Sequence, residues 1–370
     1  MKIEIFKLER MQSTWENVVD YNLAESGIHA LSLEEFVPGR DLEEVLKQRL
    51  GYSQTNGTPE LRDKIAALTP GVKPDEIQVT SGSTEANYLL MWSLIEPGDE
   101  VVFELPNYMQ MWGLIRAFGA KVKTFHLRED GNWAPDLEEL EKSVTKKTKF
   151  IILTNPNNPT GAVLTKEEMA SILRLAQRSG AWILADEVYQ DAERIGQRSP
   201  SFWGLYDRVI TVNGLSKAYG LPGLRIGWIT APPDLSQRIW PYHDYTTICP
   251  SGLGDRLARI ALTPEVRDRI LKRTRDILTQ NFAILESWLK KQGELFSFVP
   301  PRAGAITFAR YRLPENSTEL ALRIIREKSV FLAPGDLFEM DHFLRIGFGL
   351  NEPDLRAALS RVEDALRNRR

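Results

Sequence analysis

One lysine, Lys217, stands in a sequence setting that could turn its amine into a nucleophile. The turn that holds it, residues 213–224, is rich in small residues, with a proline and three glycines, and Arg225 follows directly. Small residues let the backbone approach a bulky ligand, and a neighbouring cation disfavours the ammonium form of a lysine. Such an amine can attack a carbonyl group and form a Schiff base at neutral pH. A surface turn with two solvated cations is an equally good interpretation of these residues alone.

Carboxylate and amide side chains follow two further strand-like runs. Asp186 ends the apolar run 182–185, and a buried carboxylate needs a partner to offset the cost of its desolvation. The segment 155–161, NPNNPTG, follows the apolar run 150–154, and its prolines cannot continue a strand or a helix. The segment therefore holds its amide groups rigidly at the end of a strand, where ligands bind in open α/β sheets.

A third turn, residues 81–84 (SGST), links a strand-like run at 77–80 to a helical stretch that begins at Glu85. This arrangement points free backbone N–H groups and the positive end of the helix at an anion. The turn alone is common in α/β proteins. By itself it is therefore a weak signal of an anion site.

The elements that position these residues are strands alternating with helical stretches, a pattern that predicts a mostly parallel, doubly wound α/β sheet. Helix signals agree with it, since Thr165 and Glu168 can form a capping box at the start of a helix that runs to Arg178. The chemically interesting loops all follow strands, so we expect them to gather at one edge of the sheet. That edge would unite Thr84, Tyr108, Asn158, Asp186, Tyr189 and Lys217.

The pattern changes after Pro232, where a long helical stretch is followed by short strands and helices. We predict a large domain over 41–235, a linking helix with a smaller α+β domain over 236–370, and an irregular N-terminal segment, 1–40, that joins the smaller domain. Arg345 lies in an otherwise apolar strand of that domain. Its planar guanidinium suits a substrate carboxylate, and a solvated edge arginine is the alternative.

Composition excludes several classes of protein. The 370 residues carry a formal net charge of −3, so no basic field indicates nucleic-acid binding. No apolar run is long enough to span a bilayer, and the first residues do not resemble a signal peptide. The single cysteine, Cys249, fits a reducing cytoplasm, and the four histidines lack the spacing of a metal site.

Several motifs resemble those of one family. Ser216-Lys217 followed by GLRIG at 223–227 is similar to the lysine signature of the class I/II aminotransferases, which are fold-type I enzymes dependent on pyridoxal 5′-phosphate (PLP). NPNNPTG at 155–161, DEVY at 186–189 and the spacing of Tyr52, Gly57 and Leu61-Arg62 resemble the same family. The resemblance covers nearly the whole chain. It implies a large domain with a mostly parallel doubly wound sheet and a smaller α+β domain.

The resemblance also implies roles for the matching residues. Lys217 would hold PLP as a Schiff base, Asp186 would keep the pyridine nitrogen protonated, and Tyr189 would donate to the phenolic oxygen. The other implied cofactor contacts are Tyr108 on the ring, Asn158 at the phenolic oxygen, and Ser83, Thr84, Ser216 and Arg225 at the phosphate. The implied substrate contacts are Arg345 and Asn158 at the α-carboxylate, and Gly27 in the N-terminal segment.

The family further implies a homodimer in which Tyr52 reaches the cofactor phosphate of the partner subunit. One position departs from the usual pattern. Many members carry a phosphate-binding serine three residues before the lysine, and this chain has Gly214. The phosphate would then depend on the other residues named for it.

The resemblance implies an aminotransferase that moves the α-amino group of an L-amino acid to a 2-oxo acid, with ping-pong kinetics. The same fold also hosts PLP-dependent lyases, cyclases and synthases, and residues 26–29 (SGIH) resemble those of capreomycidine synthase. Lys217 and Asp186 serve both outcomes, so these motifs do not discriminate between them.

A third interpretation is a non-catalytic PLP-binding sensor, like the effector domains of MocR-type regulators. Those regulators carry an N-terminal DNA-binding domain, for which this sequence leaves too few residues before the loop at Gly51. Substrate choice stays open at this stage. Aspartate-specific members read the distal carboxylate with an arginine from the partner subunit, and residues 241–245 (PYHDY) offer none.

Overall fold

The computed structural model describes residues 2–367. The strands are β1 Tyr21–Asn22, β2 Ile77–Thr80, β3 Glu100–Leu105, β4 Lys121–Arg128, β5 Ala134–Pro135, β6 Thr148–Thr154, β7 Trp182–Asp186, β8 Val209–Gly214, β9 Gly227–Thr230, β10 Phe296–Phe298, β11 Ile306–Tyr311, β12 Val330–Phe331, β13 Ala333–Pro334 and β14 Phe343–Gly347. The α-helices are α1 Lys7–Trp15, α2 Leu33–Phe36, α3 Gly39–Leu46, α4 Pro59–Ala66, α5 Ser83–Leu94, α6 Gln110–Ala117, α7 Leu137–Ser143, α8 Lys166–Ser179, α9 Pro233–His243, α10 Gly252–Ala261, α11 Pro264–Lys291, α12 Ser317–Lys328 and α13 Glu352–Arg367.

The large sheet has the strand order β2-β9-β8-β7-β6-β3-β4-β5. Its central pairs, from β4 through β3, β6 and β7 to β8, are parallel, whereas β9 is antiparallel to both β8 and β2. The central strands are almost completely buried, because helices cover both faces and the strands are nearly continuous apolar runs. The predicted mostly parallel, doubly wound sheet is confirmed.

The register of the sheet brings the functional loops together. Thr154 at the end of β6 pairs with Asp186 at the end of β7, and Asp186 pairs in turn with Val212 in β8. At the neighbouring strands, Gly227 at the start of β9 pairs with both Gly214 and Thr80. The loops that leave β2, β6, β7 and β8 therefore lie along one edge, as the sequence predicts.

A second, antiparallel sheet has the order β10-β11-β14-β13. Arg345 in β14 lies between Phe308 of β11 and Ala333 of β13. The N-terminal segment joins this unit, because the backbone N–H of Gly347 donates to the carbonyl of Leu23 at 2.6 Å. The smaller α+β unit is thus present, and the exact boundaries predicted for the domains stay a prediction.

The expectation of an irregular N-terminal segment is wrong for its first part, since residues Lys7–Trp15 form helix α1. Leu8, Met11 and Trp15 lie on one side of this helix and belong to a hydrophobic cluster with β-strand residues of the smaller sheet. The helix is only nine residues long. A helix this short depends on tertiary packing for its stability, so its own sequence signals it poorly. Within residues 2–367, we find no helix with the length and hydropathy needed to span a membrane.

Candidate active site

A cavity of about 400 Å³ opens at the edge where the functional loops meet. Most of the predicted site residues line it, and these are Ser83, Thr84, Tyr108, Asn158, Asp186, Tyr189, Ser216, Lys217, Arg225 and Arg345. Gly27 lies beside it, since a Cβ atom built on Gly27 would be 3.7 Å from Cδ of Lys217. Tyr52 lies apart from the cavity and is 87% exposed.

Lys217 is held by two residues of the N-terminal segment. Its Nζ donates to Oγ of Ser26 at 2.8 Å and to Oε1 of Glu25 at 3.2 Å. Glu25 is partly buried, with 44% of its side chain exposed, and its Oε1 also accepts the backbone N–H groups of Ser26 and Gly27. The attraction of the Lys217 ammonium outweighs the burial of Glu25 and lowers the pKa of that carboxyl to about 2.

The expectation that the ammonium form of Lys217 is disfavoured is therefore wrong for the protein without cofactor. Burial is the largest single effect and would lower the pKa of Lys217, but the charge of Glu25, the nearby Tyr189 and the hydrogen bond to Glu25 together outweigh it, and the pKa is raised. Glu25 is 192 residues away along the chain, so the local sequence around Lys217 does not reveal it. In the protein without cofactor, the ammonium group of Lys217 is therefore held in an ion pair with Glu25.

Arg345 is buried, with 1% of its surface exposed, so the alternative of a solvated edge arginine is wrong. Its guanidinium donates to Oδ1 of Asn158 at 2.8 Å and to the carbonyl of Ala24 at 2.6 Å. Its Nε has no hydrogen-bond partner among the described residues. A buried guanidinium with an unused donor at a cavity wall is well suited to a carboxylate.

Asp186 is a buried carboxylate whose charge is poorly compensated. Oδ1 accepts the backbone N–H of Val188 at 3.1 Å, and Oδ2 accepts a long hydrogen bond of 3.5 Å from Nδ2 of Asn87. Burial raises the pKa of Asp186 to about 6, against the smaller effects of these two donors and of Lys217. A cation placed against Asp186 in the cavity would restore its charged form.

Two tyrosines face the same space. Tyr189 is 2% exposed and its hydroxyl has no hydrogen-bond partner among the described residues. The hydroxyl of Tyr108 donates to Oε1 of Glu9 at 2.8 Å, which leaves its ring on the cavity wall. Because an unpaired buried hydroxyl is unfavourable, Tyr189 is suited to a ligand oxygen.

The opposite end of the cavity is rich in donors. Arg225 lies against Gly82 at the start of α5, and a Cβ atom on Gly82 would stand 2.5 Å from its NH2 group. Gly82 also has a φ of +86°, a conformation that glycine adopts at little cost. The first N–H groups of α5 have no acceptor within the helix, and Ser83, Thr84 and Ser216 add hydroxyls. This end fits a phosphate group.

The departure at Gly214 has a packing reason. A Cβ atom there would lie 3.1 Å from the carbonyl oxygen of Ile226 and 3.3 Å from Cα of Gly227. The two strands β8 and β9 approach each other closely at this point, so a larger side chain would push them apart.

Several cavity residues were missed by sequence reasoning. Glu9, Gln12 and Glu16 come from α1 and its C-terminal cap, and Glu25 and Ser26 come from the segment that follows. The only signal for the first group is spacing, since positions 9, 12 and 16 fall on one face of a helix. Within residues 2–367, no group of three or more potential metal ligands lies together.

The loop that carries Asn158 is supported from below by Glu104, a residue of β3 with 1% exposure. Its Oε2 accepts the backbone N–H of Thr154 and Nδ2 of Asn157, both at 3.0 Å, and Nδ2 of Asn107 at 3.2 Å. Burial outweighs these donors and raises the pKa of Glu104 to about 8. Glu104 is therefore a positioning residue that is protonated when the protein is near neutrality.

The variant Glu104→Gln should change how stability depends on pH. The folded pKa of Glu104, about 8, lies above the ordinary value of 4.5, so its contribution is complete below pH 4.5 and is lost as the pH rises through 8. Between pH 5 and 8 the unfolding free energy of the wild type should fall relative to that of Glu104→Gln by roughly 2–5 kcal/mol. Urea unfolding at the two pH values measures it. The exposed Glu138→Gln serves as control, and parallel pH dependences in wild type and Glu104→Gln would contradict the assignment.

Known proteins resemble the chain over most of its length. The family model "Aminotransferase class I and II" matches residues 33–362. The chain belongs to this family. The resemblance of its motifs is thereby confirmed, and so is the fold-type I architecture.

Three relatives of this chain illustrate the range of activities among similar proteins. A PLP-dependent aminotransferase from Streptococcus suis has a solved structure with a TM-score of 0.93 and 35% identity, covering 99% of this chain and 98% of that one. Aspartate aminotransferase from Thermotoga maritima is 30% identical, covering 87% of this chain and 85% of its own. Capreomycidine synthase from Streptomyces vinaceus is also 30% identical, covering 93% of this chain and 89% of its own. Sequence identity alone therefore does not distinguish an aminotransferase from a synthase.

Proposed function

We propose that the protein is a PLP-dependent aminotransferase that moves the α-amino group of an L-amino acid to a 2-oxo acid. One observation carries the proposal. Three chemical groups line one cavity. They are the amine of Lys217, the buried and poorly compensated carboxylate of Asp186, and the buried guanidinium of Arg345, whose Nε has no hydrogen-bond partner among the described residues. Family membership agrees with it.

The residues present fit PLP at both ends of the cavity. Asp186 would pair with the pyridine nitrogen, and Tyr189 and Asn158 would contact the phenolic oxygen. Tyr108 would face the ring, and the donors that would hold the phosphate are Ser83, Thr84, Ser216 and Arg225. The cofactor supplies an electron-accepting ring that stabilises negative charge on the substrate's Cα.

The side chains of the protein would then orient the substrate and move its proton. Arg345, supported by Asn158, would clamp the α-carboxylate and so fix which bond of Cα faces the ring. Lys217, released from Glu25 and Ser26, would take the proton from Cα and return it to the cofactor side, as a general base and then a general acid. Water would supply the oxygen of the oxo acid that leaves, the amino group would stay on the enzyme, and a second oxo acid would take up that amino group by the reverse steps and release water.

A synthase or cyclase outcome is the second candidate, because the similarity to capreomycidine synthase covers 93% of the chain. Lys217, Asp186 and Arg345 serve that outcome equally well. The difference lies in what leaves the substrate: an amino group kept by the enzyme, or a group lost from its side chain.

A single-turnover experiment separates these functions. The PLP-loaded enzyme is mixed with one amino acid at a time, without an oxo-acid acceptor, and the products are measured by mass spectrometry and an ammonia assay. A transaminase would release about one molecule of oxo acid per active site and no ammonia, and the cofactor left on the enzyme would be aminated. Free ammonia or a cyclised product with the cofactor unchanged would favour the synthase outcome. Binding of amino acids without any product would favour the sensor.

We also propose that the protein acts as a homodimer in which Tyr52 reaches the phosphate end of the partner's cavity. Exposed large hydrophobic side chains cluster in sequence around Tyr52, with Leu46 at 79% and Leu50 at 85% exposure. Such surfaces mark protein–protein contacts. The loop of Tyr52 also contacts the segment before α10, through a 2.8 Å hydrogen bond from Ser53 to the carbonyl of Pro250.

Mixed dimers test this arrangement. Tyr52→Ala should weaken PLP affinity by about tenfold or more, because a hydrogen bond to a charged phosphate is lost. In a dimer of one Tyr52→Ala chain and one Lys217→Ala chain, one of the two sites regains both residues. At a PLP concentration too low to load Tyr52→Ala, refolding the two variants together should therefore restore activity that neither shows when refolded separately under the same condition. Absence of any recovery, with mixed dimers demonstrated by differential tagging, would contradict a shared site.

A further inference from the structure

One wall of the cavity is acidic and comes from the N-terminal segment. Glu9, Gln12 and Glu16 line it from the face of α1 and its C-terminal cap, and Glu25 follows from the next segment. Leu8 is 1% exposed and anchors α1 in a hydrophobic cluster. Leu8 lines the cavity beside these polar residues, while Met11 and Trp15 pack in the hydrophobic cluster and hold the helix in place.

Once the proposed cofactor and substrate are bound, the basic residues of the site no longer balance the charges of this wall. Among residues 2–367, three basic residues line the cavity, and each is engaged under the proposed function: Arg225 with the phosphate, Arg345 with the α-carboxylate and Lys217 with the cofactor. Burial raises the pKa of Glu16, and the negative charges of Glu25 and Glu9 raise it further. Glu9 is bound by the hydroxyl of Tyr108, a neutral donor.

The same cavity contains two buried polar groups whose hydrogen bonds a ligand would complete. The buried Nε of Arg345 and the buried hydroxyl of Tyr189 have no partner among the described residues, and both residues line the same cavity as Glu9 and Glu16. The carboxylates of Glu9 and Glu25 are near enough to Arg345 to act on its charge. A substrate clamped by Arg345 would thus extend its side chain towards acidic groups.

We propose that the substrate is an L-amino acid with a cationic side chain, a guanidinium or an ammonium group, received by Glu9 and Glu16. This inference deepens the proposed function and depends on it. A cationic side chain would compensate carboxylates that the cavity partly desolvates, whereas a neutral one would leave them unpaired. An acidic side chain would meet like charges, which fits the absence of an arginine from residues 241–245.

Matched pairs of amino acids test the charge alone. L-arginine and L-citrulline have nearly the same shape, and only the first is cationic; L-ornithine and L-norleucine form a second pair. Binding to the PLP-loaded enzyme is followed by the change in cofactor absorbance on titration. We expect the cationic member of at least one pair to bind about tenfold more tightly or better. The variants Glu9→Gln and Glu16→Gln should bring that ratio towards one, and the double variant should do so most.

The exposed Glu34→Gln, on α2, is the matched control and should keep the wild-type ratio. Equal or tighter binding of the neutral members by the wild type would overturn the inference, whether or not the variants fold. A preference for arginine or ornithine that survives in the double variant would overturn the assignment to Glu9 and Glu16. If the protein never acquires the absorbance of bound cofactor, the proposed function itself is contradicted. If it acquires that absorbance and binds neutral amino acids most tightly, only the inference about the cationic substrate is contradicted.

Discussion

Replacing Lys217 by alanine should abolish turnover and leave a folded protein. Among residues 2–367, Lys217 is the only lysine that lines the cavity, so no other described amine there can both hold the cofactor and carry the Cα proton. A loss of about 10⁵-fold or more in kcat is expected when a residue with both roles is removed. Glu25 keeps its two backbone donors, the N–H groups of Ser26 and Gly27, so the loss of the ion pair should not unfold the chain.

Two control variants separate chemistry from charge. Lys217→Arg keeps a cation beside Glu25 but lacks a nucleophilic amine, because a guanidinium stays protonated at neutral pH. It should be as inactive as Lys217→Ala. The exposed Lys147→Ala should behave as wild type. Steady-state kinetics, cofactor absorbance and circular dichroism together measure the effect, and turnover by Lys217→Ala within tenfold of wild type would show the mechanism to be wrong.

Replacing Asp186 by asparagine should have opposite effects on activity and on stability. Asparagine cannot hold a ring nitrogen in its protonated form, so the electron-accepting power of the cofactor falls, and we expect kcat to drop by about 10³-fold or more. The cofactor-free protein should become more stable at neutral pH, because a buried carboxylate with weak partners is removed.

The sign of the pH effect follows from the raised pKa. The folded pKa of Asp186, about 6, exceeds its ordinary value of 3.8, so its contribution to stability is complete below pH 3.8 and is lost as the pH rises through 6. Relative to Asp186→Asn, the cofactor-free wild type should lose roughly 2–3 kcal/mol over that interval. Urea unfolding at pH 4 and pH 7.5 measures the difference.

Glu187 offers the matched control for Asp186. It is the next residue, and burial raises its pKa to about 7, but its Oε1 accepts from Ser201 and from the backbone of Phe202, away from the cavity. Glu187→Gln should therefore reproduce the change in pH dependence and keep most of the activity. Equal losses of activity in both variants would show that Asp186 acts only through the fold.

Much of the cavity followed from the sequence because its motifs come directly after strands. Parallel strands end at the same edge of a sheet, so the spacing of Thr84, Asn158, Asp186 and Lys217 behind apolar runs is enough to predict that they meet. The prolines and glycines of these loops restrict the backbone locally. The capping box of Thr165 and Glu168 is likewise a local interaction, and it is confirmed at the start of α8.

The charge state of the same residues could not be predicted from the sequence. The pKa of Lys217 depends on Glu25, and that of Glu104 depends on how deeply β3 is buried. Burial and distant partners are sums over segments that meet only when the chain folds. For this reason, the expectation from the neighbouring Arg225 that the pKa of Lys217 is lowered was wrong.

The sequence by itself determined which groups can do chemistry and the sheet edge at which they meet, because the positions of the strands along the chain and the backbone restriction of the loops are local properties of the pattern. The tertiary structure alone decided what faces those groups. The short helix α1 carries Glu9 and Glu16 to the cavity only because Leu8 and its neighbours find a hydrophobic surface on distant strands. The electrostatic field of a cavity depends on distances through space, and those distances exist only in the folded chain.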